Sequence, residues 1–141
     1  MSGEADLIRS FYACWNEYDV EGALEYTDPQ IEFDWSNSRG PMRGVYHGRQ
    51  GMRSYWGQSA EAWDTFTIEL REVVDCGDGR VVAVTTVRGR GKGSGIEVEA
   101  HGAVLWSIAE GKLVGGKLFQ NREAALAAAA AGSSPREGRP A

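Results

Sequence analysis

Between residues 31 and 35 the chain reads Ile-Glu-Phe-Asp-Trp, so in an extended strand Glu32 and Asp34 share one face while Ile31, Phe33 and Trp35 share the other. Two carboxylates on one face invite proton transfer. A carboxyl walled by aromatic rings holds its proton more tightly, whereas a neighbouring cation keeps it ionised, and either state suits an acid or base. The alternation leaves two arrangements open, one with the carboxylates in solvent and the apolar residues in the core, the other with Asp34 turned inward. Arg88 is a candidate cation, because it ends a strand face that also carries Val82, Val84 and Thr86. An arginine on an apolar face generally has an acidic partner, and Asp34 or Glu32 would serve; the alternative sends Arg88 to water.

The five tryptophans exceed what packing alone usually demands. Trp15, Tyr55, Trp56, Trp63, Trp106 and Phe119 are therefore expected to share duty between core and pocket wall, with Tyr12 or Tyr55 as hydrogen-bond donors to a substrate oxygen. His47 and His101 lack an HxH or HExxH spacing, and Cys14 and Cys76 form no CxxC pair, so no metal site and no cofactor is expected and both thiols read as free. The segment Arg88 to Gly95, RGRGKGSG, satisfies neither GxGxxG nor GxxxxGK[ST] and joins two strands, which makes it a turn; an anionic partner meeting Arg88, Arg90 and Lys92 would bind in a salt-sensitive way.

These groups must be held by regular elements. Leu7, Ile8, Phe11, Cys14, Trp15 and Tyr18 recur at helical spacing behind Glu4 and Asp6, which suit a helix N-terminus. Asp19 is placed to cap a second helix running to Tyr26, which Asp28-Pro29 would end. A strand over Ile31 to Trp35, a loop over Ser36 to Gly48 and a third helix with Met52, Tyr55, Trp56, Ala60 and Trp63 on or near one face follow. After Asp64 the period changes to two. Phe66–Val74, Arg80–Arg90, Ile96–Ile108 and Lys112–Phe119 read as a meander of four antiparallel strands, with turns at Asp78-Gly79, Gly91–Gly95 and Glu110-Gly111 and a bulge at Gly102. Residues 121–131 favour helix, and the polar stretch 132–141 is expected to be a disordered tail on a single domain of residues 1–131.

Strands without crossover helices exclude a doubly wound parallel sheet and predict an α+β layer, three N-terminal helices on a strongly curved, mostly antiparallel sheet. The net charge of −5 argues against nucleic acid as partner, and no apolar run reaches membrane-spanning length. The segment MSGEADLIRS lacks the basic start and apolar stretch of a signal peptide, so a cytoplasmic location is expected.

The order of elements, with IRSFYACWNEYD opening the chain, IEFDW on the first strand, RGVYHGRQGMRSYW entering the third helix and GKLVGGKLF near the end, resembles the SnoaL-like branch of the NTF2-like superfamily. The resemblance implies a cone-shaped α+β barrel, a homodimer formed through the sheet, and a pocket for a small, largely apolar molecule. It implies cyclisation, isomerisation or hydration where members are enzymes, and ligand binding or dimerisation where they are not. Isomerase-like members move a proton with a first-strand aspartate, which Asp34 matches when counted from Asp28; this favours the inward arrangement. They hold the oxyanion with a first-helix tyrosine and a mid-sheet acid, and those positions fall here on Phe11, one residue from Tyr12, and near Val104. The resemblance thus carries over a base without its usual oxyanion donors. An Asp-Arg-Asp relay of the hydrolase type would be met in part by Asp34 and Arg88.

Overall fold

The computed structural model describes residues 3–38 and 43–131; the expected tail at 132–141 lies outside them. Helix α1 (Gly3–Asn16) follows the apolar spacing and buries Ile8, Phe11, Tyr12 and Trp15. Helix α2 (Val20–Leu24) is capped as expected, with the Asp19 carboxylate accepting from the Gly22 amide at 3.0 Å. It ends earlier than Pro29, because strand β1 (Thr27–Asp34) has already begun there. The stretch read as loop contains a three-residue strand, β2 (Val45–His47), too short for its period to show in sequence. Helix α3 (Gly48–Ala62) buries Met52, Tyr55, Trp56 and Ser59.

The meander is present as β3 (Trp63–Gly77), β4 (Arg80–Gly91), β5 (Glu97–Ala109) and β6 (Lys112–Phe119), followed by α4 (Arg122–Ala130). The strand order is β2-β1-β6-β5-β4-β3, all pairs antiparallel except β1 with β6. The α+β class is as expected, with the curved sheet open at β2 and β3 where a barrel would close. At the Asp78-Gly79 turn both residues take positive φ, 55° and 77°, which matches the twist of the flanking strands. The bulge in β5 falls at Ser107/Ile108, and Gly102 pairs regularly with Thr85.

Register separates the two faces of the sheet. Phe33, Gly116, Trp106 and Val81 lie in one cross-strand row, and their face meets the first three helices in the main core. Asp34, Lys117, Leu105 and Val82 form the next row, on the opposite face, where Ala125 and Ala129 of α4 cover Val82, Ala103 and Leu105 in a smaller core. Gly116 is a matter of space: a Cβ there would lie 2.5 Å from Trp106 Cζ3. At the end of α1 the Asn16 amide donates to the Ile68 carbonyl at 2.7 Å while its oxygen accepts from the Ile68 N–H at 2.8 Å, pinning helix to β3.

Candidate functional site

A cavity of about 550 Å³ opens between the helices and the inner face of β3, β4, β5 and β6. Its walls are mainly aromatic and aliphatic, and among the described residues no Asp, Glu, Lys or Arg lines it. Alternation builds the wall: Phe66 and Ile68 from β3, Thr85 and Val87 from β4, and Val98, Ala100 and Val104 from β5 all share the inward parity. Helical spacing supplies the roof, since Tyr12 and Trp15 lie three residues apart on α1 and Tyr55 projects from α3. The exposed lining residues Val98, Ala100 and Gln120 mark the mouth, where the Gln120 amide donates to the Asn37 carbonyl and Asn37 Nδ2 donates to Leu118 O at 2.9 Å.

Of the expected wall, Tyr12, Trp15, Tyr55, Trp63, Val104, Trp106 and Phe119 do border the cavity. Phe11 and Trp56 stand behind it. Phe11 packs edge-on against Tyr12, Trp15 and Trp106 at 5.2–5.5 Å, and Trp56 lies 4.2 Å from Trp15, ring centre to ring centre. Such contacts stiffen the wall, each worth about 0.5–1.5 kcal/mol beyond the area buried. Trp35, stacked on Phe33 at 4.0 Å, joins the wall although the sequence reading had not placed it there. Its signal was present in the alternation, since Trp35 shares a face with Ile31 and Phe33.

Asp34 does not enter the cavity. Its oxygen accepts from Ser36 N at 3.0 Å and Ser36 Oγ at 2.6 Å, its second oxygen lies 4.0 Å from Lys117 Nζ, and its side chain is 16% exposed on the face that α4 covers. The inward placement fails because residue parity in β1 commits Phe33 and Trp35 to the aromatic side, and a strand cannot send adjacent residues the same way. Counting from Asp28 also misleads, since Asp28 belongs to β1 and terminates no helix.

Arg88 is likewise on the outer face, 2.7 Å from Glu69 and 3.5 Å from Glu99, so it partners neither Asp34 nor Glu32. The guanidinium beside it holds the Glu69 carboxyl below the usual carboxylate range. Arg90 pairs with Glu97 at 3.0 Å, so both arginines of the basic segment have acidic partners. The His101 ring sits 2.9 Å from Thr86 Oγ1 on that same outer face, although the residue borders the cavity rim. Cys14 and Cys76 are free thiols, and no group of three or more His, Cys, Asp or Glu suited to a metal occurs among the described residues. Among the described residues no helix is long and apolar enough to cross a membrane.

The polar side chains bordering the cavity are hydroxyls, indoles, and His101 and Gln120 at its rim. Trp106 Nε1 donates to the Tyr12 hydroxyl at 3.0 Å, and burial pushes the Tyr12 and Tyr55 hydroxyls well above the ordinary tyrosine value of 10. Both therefore remain protonated donors at neutral pH.

The profile of the SnoaL-like domain matches residues 8–115. An uncharacterised protein of Mycobacterium tuberculosis H37Rv is 27% identical over 111 residues, covering 78% of this chain and 82% of its own. Among solved structures, an NTF2-like protein of Burkholderia thailandensis superposes with a TM-score of 0.76 at 23% identity, over 94% of this chain and 99% of that one. TerC co-crystallised with polyporic acid superposes at 0.75 with 19% identity, over 87% and 95% of the two chains. AclR, a putative hydroxylase from Streptomyces galilaeus, does so at 0.68 with 18% identity, over 84% and 88%.

Proposed function

Since the chain belongs to the SnoaL-like family and folds as an NTF2-like cone, we propose that it binds a small, largely apolar molecule in the cavity between sheet and helices, with Asp34 taking no part. The observation that carries this reading is the cavity itself: its wall is aromatic, its volume is about 550 Å³, and ligand pockets of roughly 300–1,000 Å³ suit small molecules. A cone filled by its own tryptophans, the main alternative, would leave no such space.

Turnover by cyclisation, isomerisation or hydration would require a proton acceptor in reach of the bound molecule. No carboxylate borders the cavity among the described residues, and the His101 ring is engaged with Thr86 on the other face, so binding is favoured over acid–base catalysis. That TerC was co-crystallised with polyporic acid is a reason to include that compound among the ligands tried.

The test begins with mass spectrometry of small molecules that copurify with the protein, together with a panel of polycyclic ketones, lactones and epoxides followed by tryptophan fluorescence. Ala100→Trp, at the exposed mouth, should block entry and abolish the fluorescence change, whereas Asp34→Asn should leave affinity within about twofold. Equal binding by the Ala100→Trp variant would overturn the cavity as the site, and loss of binding in Asp34→Asn would restore Asp34 to it.

A further inference from the structure

We propose that the bound molecule is a single-chain amphiphile of about sixteen carbons, its alkyl chain running from the interior of the cavity out along β5 and its polar head held in water at the lip. The inference rests on the cavity being the binding site and adds the shape and chemical class of its occupant.

The apolar surface of the cavity continues past its cover. On β5 the inward positions Val104, Gly102, Ala100 and Val98 border the cavity, and the same alternation carries on to Ile96. The Ile96 carbonyl accepts from the Gly91 N–H at 2.8 Å, which keeps this residue in the ladder of β4. Val104 is 2% exposed, Val98 41% and Ile96 64%, so one apolar line leads from the interior into solvent. The rows across the sheet are apolar too. Ala100 pairs with Val87 and Val87 with Ile68, while Val98 pairs with Gly89 and Gly89 with Phe66. Trp63 lies over Gly89 and fills that row, since a Cβ at Gly89 would stand 3.0 Å from Trp63 Cε3. Outward positions of the same strands carry Thr67, Arg88 and Glu99, as a solvated face requires. The inward positions keep apolar residues although they too reach water, and an exposed apolar strip continuous with a cavity marks a contact surface.

A compact ring system would fill the interior and leave this strip bare, whereas a chain covers both. From Val104 to Val98 the strand advances roughly 20 Å at about 3.4 Å per residue, and an extended chain of about sixteen carbons has nearly that reach. The orientation follows from charge. With no Asp, Glu, Lys or Arg at the wall among the described residues, an ionised head would lose its hydration inside without a counter-charge. The alkyl end therefore enters first, and a chain long enough to pass Val98 returns its head to water. A chain too short to do so must choose between a dry head and an unfilled interior. Each methylene laid on the strip gains about fourfold in affinity.

Saturated carboxylates of eight, twelve and sixteen carbons, each below its micelle concentration, test this by tryptophan fluorescence of the full chain, with fluorene as the compact apolar reference. Affinity should rise at least about tenfold for every four carbons added. Ile96→Ser and Val98→Ser alter exposed positions, and each should weaken the sixteen-carbon acid by about threefold or more while leaving fluorene within about twofold. Thermal melting of each variant confirms that it is folded. Affinity that stops rising at eight carbons, sixteen-carbon binding unchanged in both variants, or binding of fluorene without any carboxylate would overturn the proposal and leave the cavity as a binding site. Failure of the carboxylates and of fluorene alike would overturn both.

Discussion

At the scale of single residues, the cavity wall holds the Tyr12 and Tyr55 hydroxyls, while among the described residues no carboxylate borders it. Tyr12 and Tyr55 give this a pH signature. Below pH 10 both are protonated in folded and unfolded chains alike; above it the unfolded chain releases protons that the fold retains, so folding stability falls as pH rises beyond the ordinary tyrosine value. Absorbance of tyrosinate at high pH should therefore show Tyr12 and Tyr55 ionising late, together with loss of the fold, with Tyr46 also shifted upward by burial. Gly116 offers a second test. A methyl group there meets the six-membered ring of Trp106, so Gly116→Ala should cost about 1–3 kcal/mol in denaturant unfolding, because a buried tryptophan in a packed wall has little room to retreat. Much of the wall was legible in sequence, since Trp15, Tyr55 and Trp106 follow from helical spacing and strand alternation, whereas Trp63, expected on the third helix, is the first residue of β3 because α3 ends at Ala62. The direction of Asp34 was not legible. Alternation says which residues share a face, but the choice of inner face follows from the parallel register of β1 on β6, a pairing between residues some eighty positions apart that no local pattern encodes.

At the scale of elements, side chains rather than long loops tie helices to strands. The two hydrogen bonds between Asn16 and Ile68 reach across 52 positions, and Asn16→Ala should cost about 1–3 kcal/mol, read as a lowered midpoint in urea with an unchanged slope. Helix α4 is held differently. Arg122 grips Glu72 through two bonds of 2.8 and 3.1 Å, and Asn121 caps the helix by accepting from Ala124 N at 2.8 Å. The meander and the helix types were readable because turn residues such as Asp78-Gly79 and Glu110-Gly111 announce themselves. Strand β2 was hidden, since three residues give no period and their pairing partner in β1 is supplied by the fold.

At the scale of the whole molecule, the curved sheet carries two different interiors. The inner one is aromatic and leaves a cavity; the outer one, under α4, is small and closed by alanines. A ligand that enters the first should stabilise the entire fold, by about 2.7 kcal/mol at a hundredfold excess over its dissociation constant, and this gain should vanish in Ala100→Trp. A melting curve taken with and without a compound that binds in the panel measures it.

The Asn16 amide has one more consequence, because Ile68 belongs to a strand at the border of the sheet. An outer strand with unmet N–H and C=O groups is a template on which another chain can add itself, the first step towards fibrils. Asn16 occupies that template at Ile68, and the Tyr18 hydroxyl lies 3.3–3.4 Å from the backbone of Phe66 beside it. At the opposite border, β2 spans only three residues and offers a growing strand little to hold. Copies of this chain are thereby steered away from edge-to-edge polymerisation, and Asn16→Ala would open a route to aggregation as well as lower stability.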